Sequence, residues 1–155
     1  MPLNFFKGNF NLRALLTSFS LESASKRIIN LFNKGIDLNT VKIILDSCKE
    51  IGILVKMGLI YGFPTETNED FEQTISFIAK NKDKITNLSC NKFVLLKNSK
   101  IILDNLLDKL NISNVHEHAE FSTYLLYDAP TVSNYLVDKF FAENNLGVPS
   151  KKINW

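Results

Sequence analysis

A few positions in this chain have the residue types and spacing to do chemistry, and most of them fall where an apolar run stops. Glu22 ends the stretch "LRALLTSFSLE", with Ser23 beside it. A carboxylate there can accept hydrogen bonds from a ribose diol or bind an amino group. It can equally cap the following helix or stay solvated. Gly58 and Gly62 bracket "LIY" in a second apolar run. Glycine inside a strand marks a bulge or the close approach of a ligand or another backbone. A small molecule can then lie against Ile60, and tight helix packing is the competing reason for the glycines. Glu66 follows the Gly-Phe-Pro turn, where it can tie the turn down through backbone amides.

Other clusters carry less. His116 and His118, with Glu117 and Glu120, are metal-ligand types, but the segment lies between expected elements and offers no second cluster, so a solvated loop is expected. Cys48 and Cys90 sit in an expected helix and an expected strand with no ligand pattern around them, as buried free thiols do. Neither histidine stands near an activated serine or cysteine in a recognisable context, so no hydrolase is indicated. No catalytic residue and no metal ligand is assigned.

The 155 residues suffice for one domain with a real core, and 45% hydrophobic with 22% charged residues is the composition of a globular chain. A net charge of +2, from 18 basic and 16 acidic residues, gives no field for nucleic acid. The N-terminus lacks a signal-peptide pattern, and no apolar run approaches the roughly 18 residues of a membrane span. A cytoplasmic protein without membrane contact is expected.

The elements that must position these residues alternate. The first strand, over 12–22, is followed by a helix capped by Ser23 or Ser25, with Ile28, Leu31 and Phe32 as its stripe and Gly35 at its end. Asn39 is a plausible N-cap for a second helix, whose stripe runs Val41, Ile44, Leu45, Cys48 and Ile51 until Gly52. "ILVKMGLIY" reads as a strand covered on both faces, the habit of parallel sheets. Thr67 caps a third helix with Asp70 at its third position, and "LSCNKFVLL" is a further strand. Beyond Lys97, Ser99 begins a helix bearing Ile102, Leu103, Leu106, Leu107 and Leu110. "EFSTYLLYD" suggests a short strand, and a last helix has Pro130 in its first turn and Gly147 past its end. The terminal "VPSKKINW" reads as a tail. Strand and helix in this order predict a parallel α/β fold with right-handed crossovers, in which ligands sit beyond the carboxyl ends of the strands.

"FSLESASKRIINLFNKGID" and "EIGILVKMGLIYGFPTETNEDFEQTISFI" together resemble the second half of a radical S-adenosylmethionine (radical SAM) barrel. The likeness lies in the Glu-Ser strand end, the Asn-Lys-Gly helix end, the Gly-Ile strand start and the Gly-Phe-Pro-x-Glu-Thr turn, in that order over about residues 10 to 97. It implies a partial TIM-like (β/α) barrel fragment holding strands four to six, over 1–97, followed by a mainly helical C-terminal extension over 98–155. It also implies that Glu22, with Ser23, contacts the ribose or amino group of S-adenosylmethionine (SAM). Ile60, with Gly58 and Gly62, would lie against the adenine, the backbone around Asn91 to Leu95 would meet the adenine edge, and Glu66 would fix the turn. Ser20 stands where many relatives have glycine.

The family's chemistry begins at a C-x-x-x-C-x-x-C loop holding a [4Fe–4S] cluster, and the sequence contains no such loop. With Cys48 and Cys90 alone the chain cannot build that centre. Two readings follow. In the first, the chain is a fragment or truncated member of the radical SAM enzymes that contributes the SAM-binding wall to a cluster-dependent reaction and is not catalytic alone; where the enzyme is divided, the partner is an N-terminal half-barrel chain that carries the cluster. In the second, it is a non-catalytic remnant or accessory docking module. Unpaired strand edges would make an isolated half barrel poorly soluble, or dimeric through those edges, unless the tail covers them.

Overall fold

The computed structural model describes residues 15–146, so the start of the expected first strand, Gly147 and the tail lie outside it. Strands β1 (Leu16–Glu22), β2 (Leu54–Tyr61) and β3 (Asn87–Lys92) form a parallel sheet in the order β1-β2-β3. Helices α1 (Lys26–Phe32) and α2 (Leu38–Ile51) connect the first pair, and α3 (Asn68–Lys80) connects the second. This mixed α/β arrangement follows the alternation in the sequence. Among the described residues no helix is long and apolar enough to cross a membrane.

Local chemistry explains the boundaries. Ser25 is the N-cap of α1 and accepts from the Ile28 amide. Asp37, not Asn39, caps α2: its Oδ2 accepts from the Thr40 amide at 2.9 Å and the Thr40 hydroxyl at 2.8 Å. Thr67 and Asp70 form a reciprocal capping box at α3, an arrangement worth about 1 kcal/mol.

The sheet has one covered face rather than two. Val55, Met57, Leu59 and Tyr61 alternate into a core with Leu21, Leu45 and Phe71. Leu54, Lys56, Gly58 and Ile60 point the other way and are exposed or half-buried among the described residues. In register with them stand Ser18 and Asn87 beside Lys56, and Ser20 and Ser89 beside Gly58. The open face is therefore largely polar.

The C-terminal region departs from the mainly helical extension expected of it. β4 (Leu95–Leu96), β5 (Ser113–Glu117) and β6 (Tyr124–Asp128) form a second, antiparallel sheet in the order β4-β6-β5. The expected strand over 88–96 is thus two. The Phe93 amide bonds the Tyr61 carbonyl, and the Phe93 ring turns onto Phe63 and Tyr127 before the chain leaves for the second sheet. The leucine-rich stretch forms only a four-residue helix, α4 (Lys100–Leu103), and a 3-10 turn at Asp108–Leu110, because Asn105 and Asn111 adopt left-handed backbone conformations that interrupt it. His116 lies in β5 rather than in a loop, and the His118 ring accepts from the Glu120 and Phe121 amides. Helix α5 (Asn134–Glu143) starts after Ser133, so Pro130 stands outside it, its carbonyl accepting from the Thr65 amide at 2.7 Å.

Two cores result. Val137, Phe140 and Phe141 of α5 join the core beneath the parallel sheet. Ile28, Phe63, Leu95, Leu110 and Ile112 form the second, just past the carboxyl ends of β1 and β2.

Candidate functional site

Glu22 is the most unusual residue at the strand ends. Its φ of 67° lies in the left-handed region, which L residues with a side chain seldom adopt, and the β1–β2 register shifts between Ser20 and Glu22. The residue is only 5% exposed. Oε1 accepts from the Ser20 hydroxyl at 2.8 Å and from Lys34 Nζ, whereas Oε2 is buried and accepts no hydrogen bond among the described residues. A buried carboxylate oxygen without a donor costs free energy, and strain of this kind concentrates at ligand sites.

Gly58 lies next to this carboxylate through Ser20. A Cβ added at Gly58 would meet the Ser20 and Ser89 hydroxyl oxygens at 3.7 Å, an ordinary contact. Nothing among the described residues therefore demands glycine there, and the space it leaves opens onto the polar face. Ile60 shares that face, opposite Asn91. Gly62 has a different reason: its φ of 75° favours glycine, and its amide donates to Glu66 Oε2 at 2.6 Å. Ser23 is fully buried and turned away, its hydroxyl meeting Thr74 Oγ1 at 3.2 Å and accepting from the Ser25 amide. It anchors the strand end to α3 and does not join Glu22 on the open face.

The turn after β2 is clamped from outside. Thr65, a β-branched residue at φ 72°, has its carbonyl held by Arg27 Nη2 at 2.6 Å. Arg27 also pairs with Asp70, whose carboxylate accepts from Ser25 and Thr67. Glu66 is 2% exposed, and its Oε1 has no partner among the described residues. Burial pushes its pKa up to about 7, against the Gly62 and Phe63 amides that lower it, with Asp70 raising and Arg27 lowering it further. The unfolded carboxyl, near 4.5, releases its proton first, so the contribution of Glu66 to stability is complete below that pH and is lost as pH rises to about 7. We expect the melting temperature to fall between pH 4.5 and 7. In Glu66→Gln most of that slope should vanish; an unchanged slope would assign it elsewhere.

Past the strand ends, Phe32, Phe63, Phe93 and Tyr127 form a chain of tilted and edge-on rings. A cavity of about 160 Å³ beside them is lined by Gly62, Lys92, Tyr127 and Thr131 among others. It is smaller than the roughly 300 Å³ at which pockets for whole ligands begin. The segment Asn91 to Leu95 supplies only part of a strand edge here, since Phe93 already bonds Tyr61.

Lys34 and Arg27 escaped the sequence reading. The Asn-Lys-Gly helix end signals where α1 stops, but only the fold shows its lysine returning to Glu22. Chemically, the strand ends offer a carboxyl group with one buried oxygen that accepts from no donor among the described residues, at the margin of a polar face and without a nucleophile–base pair. Cys90 is no thiolate, because burial, with Glu66 adding to it, pushes its pKa up to about 12. The free oxygen of Glu22 and the space at Gly58 fit a donor-bearing group such as the ribose or amino group of SAM. A [4Fe–4S] cluster does not fit: Cys48 and Cys90 lie on α2 and β3, and no group of three or more His, Cys, Asp or Glu residues suited to a metal occurs among the described residues.

No family model matches the chain. It is 37% identical over 70 residues to the tRNA-2-methylthio-N(6)-dimethylallyladenosine synthase of Buchnera aphidicola, a match covering 42% of this chain and 16% of that protein. It is 39% identical over 62 residues to an uncharacterized methyltransferase of Pyrococcus horikoshii, covering 40% of this chain and 14% of that protein. The chain thus spans about a sixth of the length of the first relative and a seventh of the second. These partial similarities are distant and compatible with the radical SAM superfamily.

Proposed function

We propose that this chain is a radical SAM-related fragment whose parallel sheet is one wall of a SAM site, as strands four to six of a partial (β/α) barrel. The observation that carries this reading is Glu22: a strained, buried carboxylate with one oxygen that has no partner among the described residues, at the carboxyl end of a parallel strand and beside the space at Gly58. In that role Glu22 accepts hydrogen bonds from the ribose or amino group, while Lys34 and Ser20 hold the carboxylate in place. Ile60 supplies apolar contact to the adenine, and Gly62 with Glu66 carries the chain off the strand. A SAM molecule held at this wall would supply radical chemistry only together with a reduced cluster ligated elsewhere. This chain gives such a cluster no ligands, so no reaction step is assigned to it. In this reading the cysteine loop belongs to an N-terminal half-barrel chain, and the assembled protein works in the cytoplasm.

Amide-resolved NMR titration with SAM tests the reading. Shifts should gather at Ser20, Glu22, Lys34, Gly58 and Gly62, and Glu22→Ala should weaken binding at least about tenfold, as loss of a charge-assisted hydrogen bond does. Gly58→Ala should weaken it similarly while changing stability by no more than about 0.5 kcal/mol, since the added methyl meets only ordinary contacts among the described residues. Scattered shifts, or binding indifferent to both substitutions, would sink the proposal.

A further inference from the structure

We infer that two copies of this chain associate through the free edge of β1, pairing antiparallel about a two-fold axis at Ser18 into one six-stranded sheet. β1 is the outer strand of the parallel sheet, and among the described residues its second edge has no strand partner. Leu15 is 58% and Leu16 63% exposed, and Leu54, opposite Leu16 in register, is exposed as well. The Leu15 carbonyl accepts from the Leu54 amide, so with a period of two Leu16, Ser18 and Ser20 direct their N–H and C=O groups outward.

This edge lacks the features that discourage strand pairing. Leu15 to Leu21 contain no charge and no proline, and the only bulge falls at the far end, between Ser20 and Glu22. The opposite edge strand, β3, carries Asn87 and Asn91 and ends on Lys92.

The occupant follows from self-complementarity. A two-fold at Ser18 sets Ser18 opposite Ser18 of the second copy and Leu16 opposite Ser20, as hydrogen-bonded pairs. Thr17 then faces Phe19 on the helix side, the β-branched–aromatic pairing that stabilises antiparallel strands. No like charges meet, and the two-fold closes the assembly at two copies. The inference does not rest on the proposed function. It does set the two in competition, because an N-terminal half-barrel would join at the same edge.

Sedimentation of the full chain over a concentration series tests this. A reversible monomer–dimer equilibrium is expected. Ser18→Pro removes one outward N–H per copy and leaves the bonds to β2 intact. It should weaken dimerisation about thirty-fold, corresponding to two lost hydrogen bonds. Ser18→Lys places two cations face to face and should weaken it as well, giving a second variant should the proline disturb the strand. Asn91→Lys, on the opposite edge, should leave the equilibrium unchanged. A chain that stays monomeric, a dimer indifferent to both Ser18 variants, a dimer lost with Asn91→Lys, or an assembly that grows past two would each overturn the inference. Glu22→Ala should not affect the dimer, so its failure in SAM binding and a failure here remain distinguishable.

Discussion

Asp70→Ala should lower the unfolding free energy by about 3 kcal/mol at neutral pH, the largest polar effect expected in the molecule. The carboxylate is buried and accepts from Ser25 Oγ at 2.6 Å, from Thr67 N at 2.9 Å and Thr67 Oγ1 at 2.8 Å, and from Arg27. Burial alone would raise its pKa, but the donors from Arg27, Ser25 and Thr67 outweigh that and hold it well below the carboxylate range. Removing it takes away the reciprocal half of the α3 capping box, leaving Thr67 as the cap, and deprives the buried Ser25 hydroxyl of its acceptor. The contribution of Arg27 is discounted, because that side chain is half exposed and rehydrates. The sign with pH follows from the depressed pKa. The stabilisation is complete above the unfolded value near 3.8 and is lost as pH falls below it. Denaturant unfolding at pH 7 and pH 3 should show the gap between wild type and Asp70→Ala narrowing at the lower pH. A constant gap would mean that the loss is not electrostatic.

Phe140→Ala should cost more, about 4 kcal/mol, by opening a cavity under the parallel sheet. Phe140 is 1% exposed and sits edge-on to the fully buried Phe71 of α3, ring centroids 5.4 Å apart, with Phe141 beside it against Tyr61. These contacts join a helix near the end of the chain to the core beneath β2. Loss of α5 should therefore unfold the parallel sheet along with it. A single cooperative transition for the wild type, shifted as a whole in Phe140→Ala, is the expected calorimetric result. Two separable transitions would show the region beyond 97 to be an independent unit.

What could be read from the sequence was local. Thr67 with Asp70 three residues on, Gly62 before Phe-Pro, and the alternating strands and helices each follow from neighbours a few residues apart, and the structure forms them as read. The carboxylate of Glu22 was legible as a strand end because an apolar run stops there. Its partner Lys34 was not, since their meeting depends on how α1 crosses the strand ends. The second sheet was hidden for similar reasons. β5 has only Val115 as an apolar residue, and its pairing with β6 is set by partners eight to fifteen residues away. The leucines from Ile102 to Leu110 keep a helical spacing, but the left-handed turn at Asn105 overrides it. The open face of β2 misled for the opposite reason: an apolar run signals burial on two sides, and only one side is covered within the described residues.

The shift in pairing between Ser20 and Glu22 makes chain length as strongly specified as side-chain identity at this point. Leu21 is the residue that the β1–β2 pairing skips, and it is fully buried. Deleting it would restore a regular ladder with Glu22 still opposite Leu59, but the carboxylate would then take the place of Leu21 on the core face that Leu59 shares. A gene can therefore tolerate many spelling changes in "FSLES" more readily than the loss of one codon.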